Sequence, residues 1–189
     1  MRVSEPEVTL ATCAADVIEL AASRAHSAEL AAVLAQHSLT LPACGALTRT
    51  GAGLALSYRP ERWLLLSARA APGAARAQWH AACAPHAAVI EQSSALAALH
   101  LGGAGARAML TRGCRLDLDP ALFPVGRVAA TIIAQVATLL AALPSGILIL
   151  TPASTARHLR EWLAATAHSL AAAPPGELPL SALIGDPHS

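Results

Sequence analysis

Three groups of residues in this chain have types and spacings that chemistry could use. The stretch "LHLGGAGARAML", residues 99 to 110, carries Gly103, Gly105 and Ala108 in the relaxed pattern G-x-G-x-x-A. In a dinucleotide-binding unit such glycines let the backbone approach a pyrophosphate at a helix N-terminus. Asp117 and Asp119 form a carboxylate pair between Arg115 and Arg127, the raw material of general acid–base catalysis. Eight histidines and four cysteines supply possible ligands and nucleophiles.

Each group lacks its necessary companions. A dinucleotide site needs an acid about twenty residues beyond the glycine loop, at the end of the next strand, to hold the ribose. In this chain a Pro-rich loop occupies that position. The glycines therefore read as the end of a strand, letting a helix pack closely and leaving backbone N–H groups free at its N-terminus. Asp117 and Asp119 read as turn residues that bond the local backbone. Arg115 and Arg127 either pair with these two acids or reach carboxylates of a partner. The pairs His80 with His86 and His158 with His168 lack the one-turn spacing that puts two imidazoles on one helix face. Ser93 and Ser94 sit in no nucleophile elbow. Cys13, Cys44, Cys83 and Cys114 lie thirty or more residues apart with no C-x-x-C pair, so they read as free, mostly buried thiols of a reducing cytoplasm. No catalytic, cofactor-binding or metal-ligating residue is assigned.

The elements that would position these residues follow from periodicity. Val17, Leu20, Ala21, Ala28, Leu30, Val33 and Leu34 recur at helical spacing and predict a helix over 14–37. "LALSY" and "RWLLLSA" flank Arg59, Pro60 and Glu61 as a hairpin. A second helix covers 72–84, and "AAVIEQSS" with "LAALHLGG" reads as a second strand pair. A helix closed by Gly113 follows, then a turn-rich loop, strands at 127–133, 135–142 and 147–151, and a last helix over 153–171. That helix turns Ala156, Leu159, Trp162, Leu163 and Leu170 toward a core. Strand pairs separated by single helices predict an alpha/beta (α+β) sandwich of split β-α-β type, not a doubly wound parallel sheet.

Composition narrows the partners. Of 189 residues, 54% are hydrophobic and only 13% charged, so a permanent protein partner or a membrane has to be considered. The net charge is +1, and Tyr58 and Phe123 are single examples of their kinds, which excludes a basic, aromatic surface for nucleic acid. The uncharged run 128–150 is cut by Pro144, Ser145 and Gly146 after sixteen residues, too short for a membrane-spanning helix. The N-terminus carries Glu5, Glu7 and Asp16 in place of a basic head and unbroken apolar core, so it is not read as a secretory signal.

The segments "YRPERWLLLS", "EQSSALAALHLGGAGARAMLTRGCRLDLDPALFPVGRVAATIIAQVATLLAAL" and "ILILTPASTARHLREWL" together resemble the gamma subunit family of heterotetrameric sarcosine oxidase. The resemblance runs from about residue 27 to 171 and divides the chain into a partly helical segment 1–26, a gamma-like domain 27–171 and a flexible tail 172–189. Its most specific parts are Pro60 with "RWLLL", the block "GCRLDLDPALFPVG" with Gly113, Cys114, Asp117, Leu118, Phe123, Pro124 and Gly126, and the segment Arg157 to Trp162. Where the family often has proline after the strand-ending glycine, this chain has Ala104 after Gly103.

The resemblance implies a fold like the folate-binding domain of aminomethyltransferases, and a non-catalytic subunit in a complex that oxidatively demethylates sarcosine or a related N-methyl amine. FAD, covalently linked FMN, NAD and tetrahydrofolate are then held by the larger partner subunits. The gamma chain contacts the alpha subunit, with beta and delta completing a cytoplasmic assembly. Arg115, Asp117, Asp119, Phe123 and Arg127 are the expected partner interface. The alternative implied by the same fold is a stand-alone folate-binding one-carbon transferase. Those transferases carry an essential aspartate on the strands after the glycine-ending loop, and "IIAQVATLLAAL" has no carboxylate.

Overall fold

A computed structural model describes residues 7–51, 53–167 and 176–184. The chain divides into two compact units, Met1–Cys13 with Ala95–Leu178 and Ala14–Ser94 with Pro179–Ser189. One strand, β1 (Thr9–Ala22), contributes its first residues to the former and the remainder to the latter.

In the first unit, Thr9–Cys13 of β1 pair with β6 (Leu96–Gly102), β6 with β9 (Gly146–Pro152), β9 with β8 (Val136–Leu143), and β8 with β7 (Val128–Ile133). Every one of these pairings is antiparallel. The helices are α3 (Ala106–Leu110) and α4 (Ala153–Ala167). The period-two alternation of strands sends Leu99, Leu101, Ile147 and Ile149 into one core with Met109, Leu110, Phe123, Leu159 and Leu163. Leu148 and Leu150 point the other way and are buried as well. Burial on both faces is why this stretch reads as an unbroken apolar run. Each fully buried leucine contributes about 1.5–3 kcal/mol by transfer from water.

The second unit contains β2 (Leu47–Thr50), β3 (Gly53–Arg59), β4 (Arg62–Ala68) and β5 (Ala87–Glu91) beside the second half of β1. β4 and β5 lie on opposite edges of β1, each antiparallel to it, with Leu20 facing Trp63 on one side and Val89 on the other. β4 and β5 are therefore parallel and joined through α2 (Ala74–Cys83), which is the expected split β-α-β arrangement. Leu30 and Leu34 of α1 (Ser27–Gln36) and Cys83 of α2 close over Ile18, Leu20, Trp63, Leu65 and Val89. The buried Trp63 indole donates to the Pro42 carbonyl at 3.0 Å.

Three expectations are corrected. Of the helix expected over 14–37 only α1 and a preceding 3-10 turn, Arg24–His26, are helical; residues 14–22 belong to β1, so the N-terminal segment supplies a central strand. Val17, Ile18 and Leu20 are all buried, and sheet pairing on both edges outweighs local spacing. β5 and β6 do not pair with each other; both pair with β1, at Ile18–Ala22 and Thr9–Cys13 respectively. Gly113 is not a left-handed helix terminus, because α3 ends at Leu110 and its cap Thr111 is right-handed.

The two hairpin expectations hold. β3 and β4 form the hairpin around Pro60 and Glu61, and Pro144 and Ser145 turn the chain between β8 and β9. The turn between β7 and β8 consists of Ala134 and Gln135, the latter expected inside a strand. Of the tail beyond Ala173, β10 (Gly176–Pro179) pairs with β1, and α5 (Leu180–Ile184) buries Leu180 and Leu183; the rest lies outside the described residues. Leu170 and His168 also lie outside them.

Candidate partner-binding site

The glycine stretch leads from β6 into α3. Gly103 has φ +89, and a Cβ there would stand 2.2 Å from the Glu7 carbonyl oxygen. Glycine is required for that turn and that close approach. The Gly105 N–H donates to the Glu7 carbonyl at 3.2 Å, and the Ala106 N–H to the Gly103 carbonyl at 3.1 Å. These groups are therefore not free, contrary to the expectation of open N–H groups. With β6 antiparallel to both neighbours, the stretch is a corner and not a nucleotide loop.

Four residues beyond Gly103 stands Arg107, which sequence reasoning did not single out. One of its guanidinium nitrogens donates to the carbonyls of Leu118 at 2.7 Å and Phe123 at 2.8 Å. These charge-assisted bonds hold both ends of the acidic loop. Its signal in sequence was weak, because a lone arginine on a helix gives no hint of distant carbonyl partners.

The loop is also fixed from within. Asp117 Oδ1 accepts from the Asp119 N–H at 2.9 Å, and Asp119 Oδ1 from the Ala121 N–H at 2.8 Å. The Asp119 carbonyl accepts from the N–H groups of Leu122 and Phe123 at 2.9 and 2.7 Å. Both aspartates are thus turn residues, as expected. Phe123, expected at an interface, is only 1% exposed and belongs to the core of its unit. It anchors the loop from beneath.

Arg115 and Arg127 are exposed, and among the described residues neither forms an ion pair with Asp117 or Asp119. The acids are turned toward their own backbone. Leu122 and Val125 project outward, 64% and 58% exposed. Val125 rims a cleft of about 430 Å³ lined also by Ala104, Arg107, Leu143, Pro144 and Ile147. The loop thus exposes two arginines and two aspartates beside the apolar Leu122 and Val125.

Residues 21–168 match the model of the sarcosine oxidase gamma subunit family. The chain belongs to this family. A chain of the heterotetrameric sarcosine oxidase of Corynebacterium sp. U-96, in complex with pyrrole 2-carboxylate, is similar at 28% identity and a TM-score of 0.75, over 88% of this chain and 87% of that one. The glycine cleavage system aminomethyltransferase T of Bartonella henselae is similar in fold, with 16% identity and a TM-score of 0.64. That match covers 96% of this chain and 51% of the transferase, so this chain spans about half of that length. No curated protein matches by sequence.

Elsewhere in this gamma-family chain several polar groups are bonded within the fold, while Glu91 Oε2 is buried without a hydrogen-bond partner among the described residues. His100 is buried, with Nε2 3.2 Å from Ser145 Oγ, and desolvation pushes its pKa below the ordinary value. A second cleft, about 440 Å³, is lined by Asp16, Arg69, Glu91 and Ser93. Asp16 accepts from the Ala70 N–H at 2.8 Å, while Ser93 accepts from the Val17 N–H at 2.8 Å and donates to Glu91. Glu19 is buried and accepts from Tyr58 at 3.0 Å and Gln92 at 2.9 Å. Cys13 and Cys83 are buried, Cys44 is exposed, and burial pushes the Cys13 thiol up to about 11. Among the described residues no three His, Cys, Asp or Glu side chains converge as a metal site, and no helix is long and apolar enough to cross a membrane.

Proposed function

We propose that this chain is the gamma subunit of a heterotetrameric flavoenzyme of the sarcosine oxidase type, which oxidatively demethylates sarcosine or a related N-methyl amine. One observation carries the reading: at 28% identity the match to a chain of such a heterotetramer covers nearly nine tenths of both partners. The subunit's role is assembly. It contacts the alpha subunit in a cytoplasmic complex completed by beta and delta. FAD, FMN, NAD and tetrahydrofolate are held by the partner subunits, and this chain contributes no catalytic residue.

The loop 113–127 is the proposed contact. Arg115, Asp117, Asp119 and Arg127 stand on its exposed side, and Phe123 secures it from the core. A stand-alone transferase has only the shared fold in its support, since 16% identity carries no activity. The absence of a carboxylate from residues 132–143 leaves such a reaction without an obvious proton-handling group.

The test is to tag the chain in its native host, purify it gently, and record copurifying subunits with the visible spectrum. Larger partners, a flavin spectrum and sarcosine-dependent oxygen uptake are expected. A colourless solitary protein that binds tetrahydrofolate would overturn the proposal.

A further inference from the structure

The cleft beside Val125 has a composition that selects what can enter it. Ala104, Leu143, Pro144 and Ile147 make its walls largely apolar, and Arg107 is the charged residue among its lining groups. Among the described residues no carboxylate lines it. Arg107 spends one guanidinium nitrogen on the Leu118 and Phe123 carbonyls, and its other N–H groups make no hydrogen bond among the described residues. A guanidinium fixed on one edge and open on the other is prepared to receive a carboxylate in a planar, two-bond geometry. Arg115 and Arg127 stand exposed on the same loop as the exposed Asp117 and Asp119, so the cation that distinguishes the cleft is Arg107.

The apolar part of this surface is equally prepared. Leu122 and Val125 are held outward by a loop whose backbone is tied at Asp117, Asp119 and Arg107. Side chains held in advance lose little conformational freedom on binding, so their burial is returned as affinity. An apolar centre with a polar rim is the common anatomy of a protein interface.

We propose that this cleft and its Val125 rim receive a segment of another subunit that presents an apolar side chain next to a carboxylate. The apolar group fills the space between Ala104, Pro144 and Ile147, and the carboxylate meets the open edge of Arg107. Charge complementarity argues for this occupant, because a cleft whose described lining carries a cation and no acid favours an acidic segment over a basic one. The proposal rests on the gamma-subunit reading and adds to it the chemistry of the contact.

The experiment coexpresses the tagged chain with its partner subunits and measures the partner recovered per tagged chain for wild type, Val125→Glu and Val125→Lys. Val125 is exposed, so the melting temperature of each variant should stay near that of wild type. V125E should lower recovery about ten-fold or more, because it places a carboxylate against a carboxylate. V125K should lower it only about two- to three-fold, since its ammonium can pair with the incoming acid. Equal losses in the two variants would overturn the carboxylate. Full recovery with both would overturn the docking site while leaving the gamma-subunit reading intact. A self-associated chain that V125E converts to monomer would replace the proposed occupant by a second copy and overturn it. A wild-type chain that captures no larger subunit would remove the underlying reading as well.

Discussion

Gly113 lies against the indole of Trp162, so closely that a Cβ added to the glycine would stand 2.5 Å from Cζ2 and 2.8 Å from Cη2. The segment after α3 and the middle of α4 are thereby packed together without an intervening side chain. Gly113→Ala should destabilise the protein by about 1–3 kcal/mol through overpacking. Chemical denaturation measures it, and a cycle with Trp162→Leu should recover about 0.5 kcal/mol or more of the loss.

Arg107 is the tie between α3 and the acidic loop. Its removal in Arg107→Ala leaves the carbonyls of Leu118 and Phe123 without this donor, at a cost of about 2–3 kcal/mol. Arg107→Lys should fall between wild type and alanine, because an ammonium on a flexible stem reproduces the fork poorly. Equal stability of all three proteins in urea titrations would contradict the assigned role.

The turn between β7 and β8 places Ala134 at φ 47 and Gln135 at φ 66. Two non-glycine residues in the left-handed region cost about 1–2 kcal/mol each. Gln135→Gly should relieve that cost and shift the denaturation midpoint upward by the equivalent of about 1 kcal/mol. A lower midpoint would mean that the Gln135 side chain stabilises the turn by more than its backbone strain.

His100 ties stability to pH. Burial lowers its folded-state pKa from the ordinary value of 6.5, so the unfolded chain binds a proton more readily than the folded one. The contribution is fully present above pH 6.5 and is lost as pH falls below that value toward the lowered folded pKa. His100→Gln should flatten this part of the stability profile, read as melting temperature against pH.

Arg115 and Arg127 are the exposed cations of the proposed contact loop. Reversing both, as R115E with R127E, should reduce recovery of partner subunits about ten-fold and weaken its dependence on salt. Unchanged recovery would remove these two side chains from the interface.

Much of this molecule was legible in its residues. Two apolar segments flanking the Arg-Pro-Glu turn specified the β3–β4 hairpin, and helical spacing specified α4. The turn chemistry of Asp117 and Asp119 was readable because an Asx side chain acts on backbone only two residues away. The block from Gly113 to Gly126 carried the family likeness, although the reason for its glycine lay 49 residues on, at Trp162.

Local pattern and residue type were enough for the strand-rich split β-α-β class and for the family. Only the tertiary structure decided that residues 14–22 are a central strand, because their partners in β4 and β5 come more than forty residues later. It alone decided that Phe123 faces inward, that Arg115 and Arg127 are not paired with the adjacent acids, and that Arg107 orders the loop. Each of those outcomes is a competition between distant groups for one another. Neighbours along the chain cannot settle it, because the winning partner enters only when the sheet and its helices close.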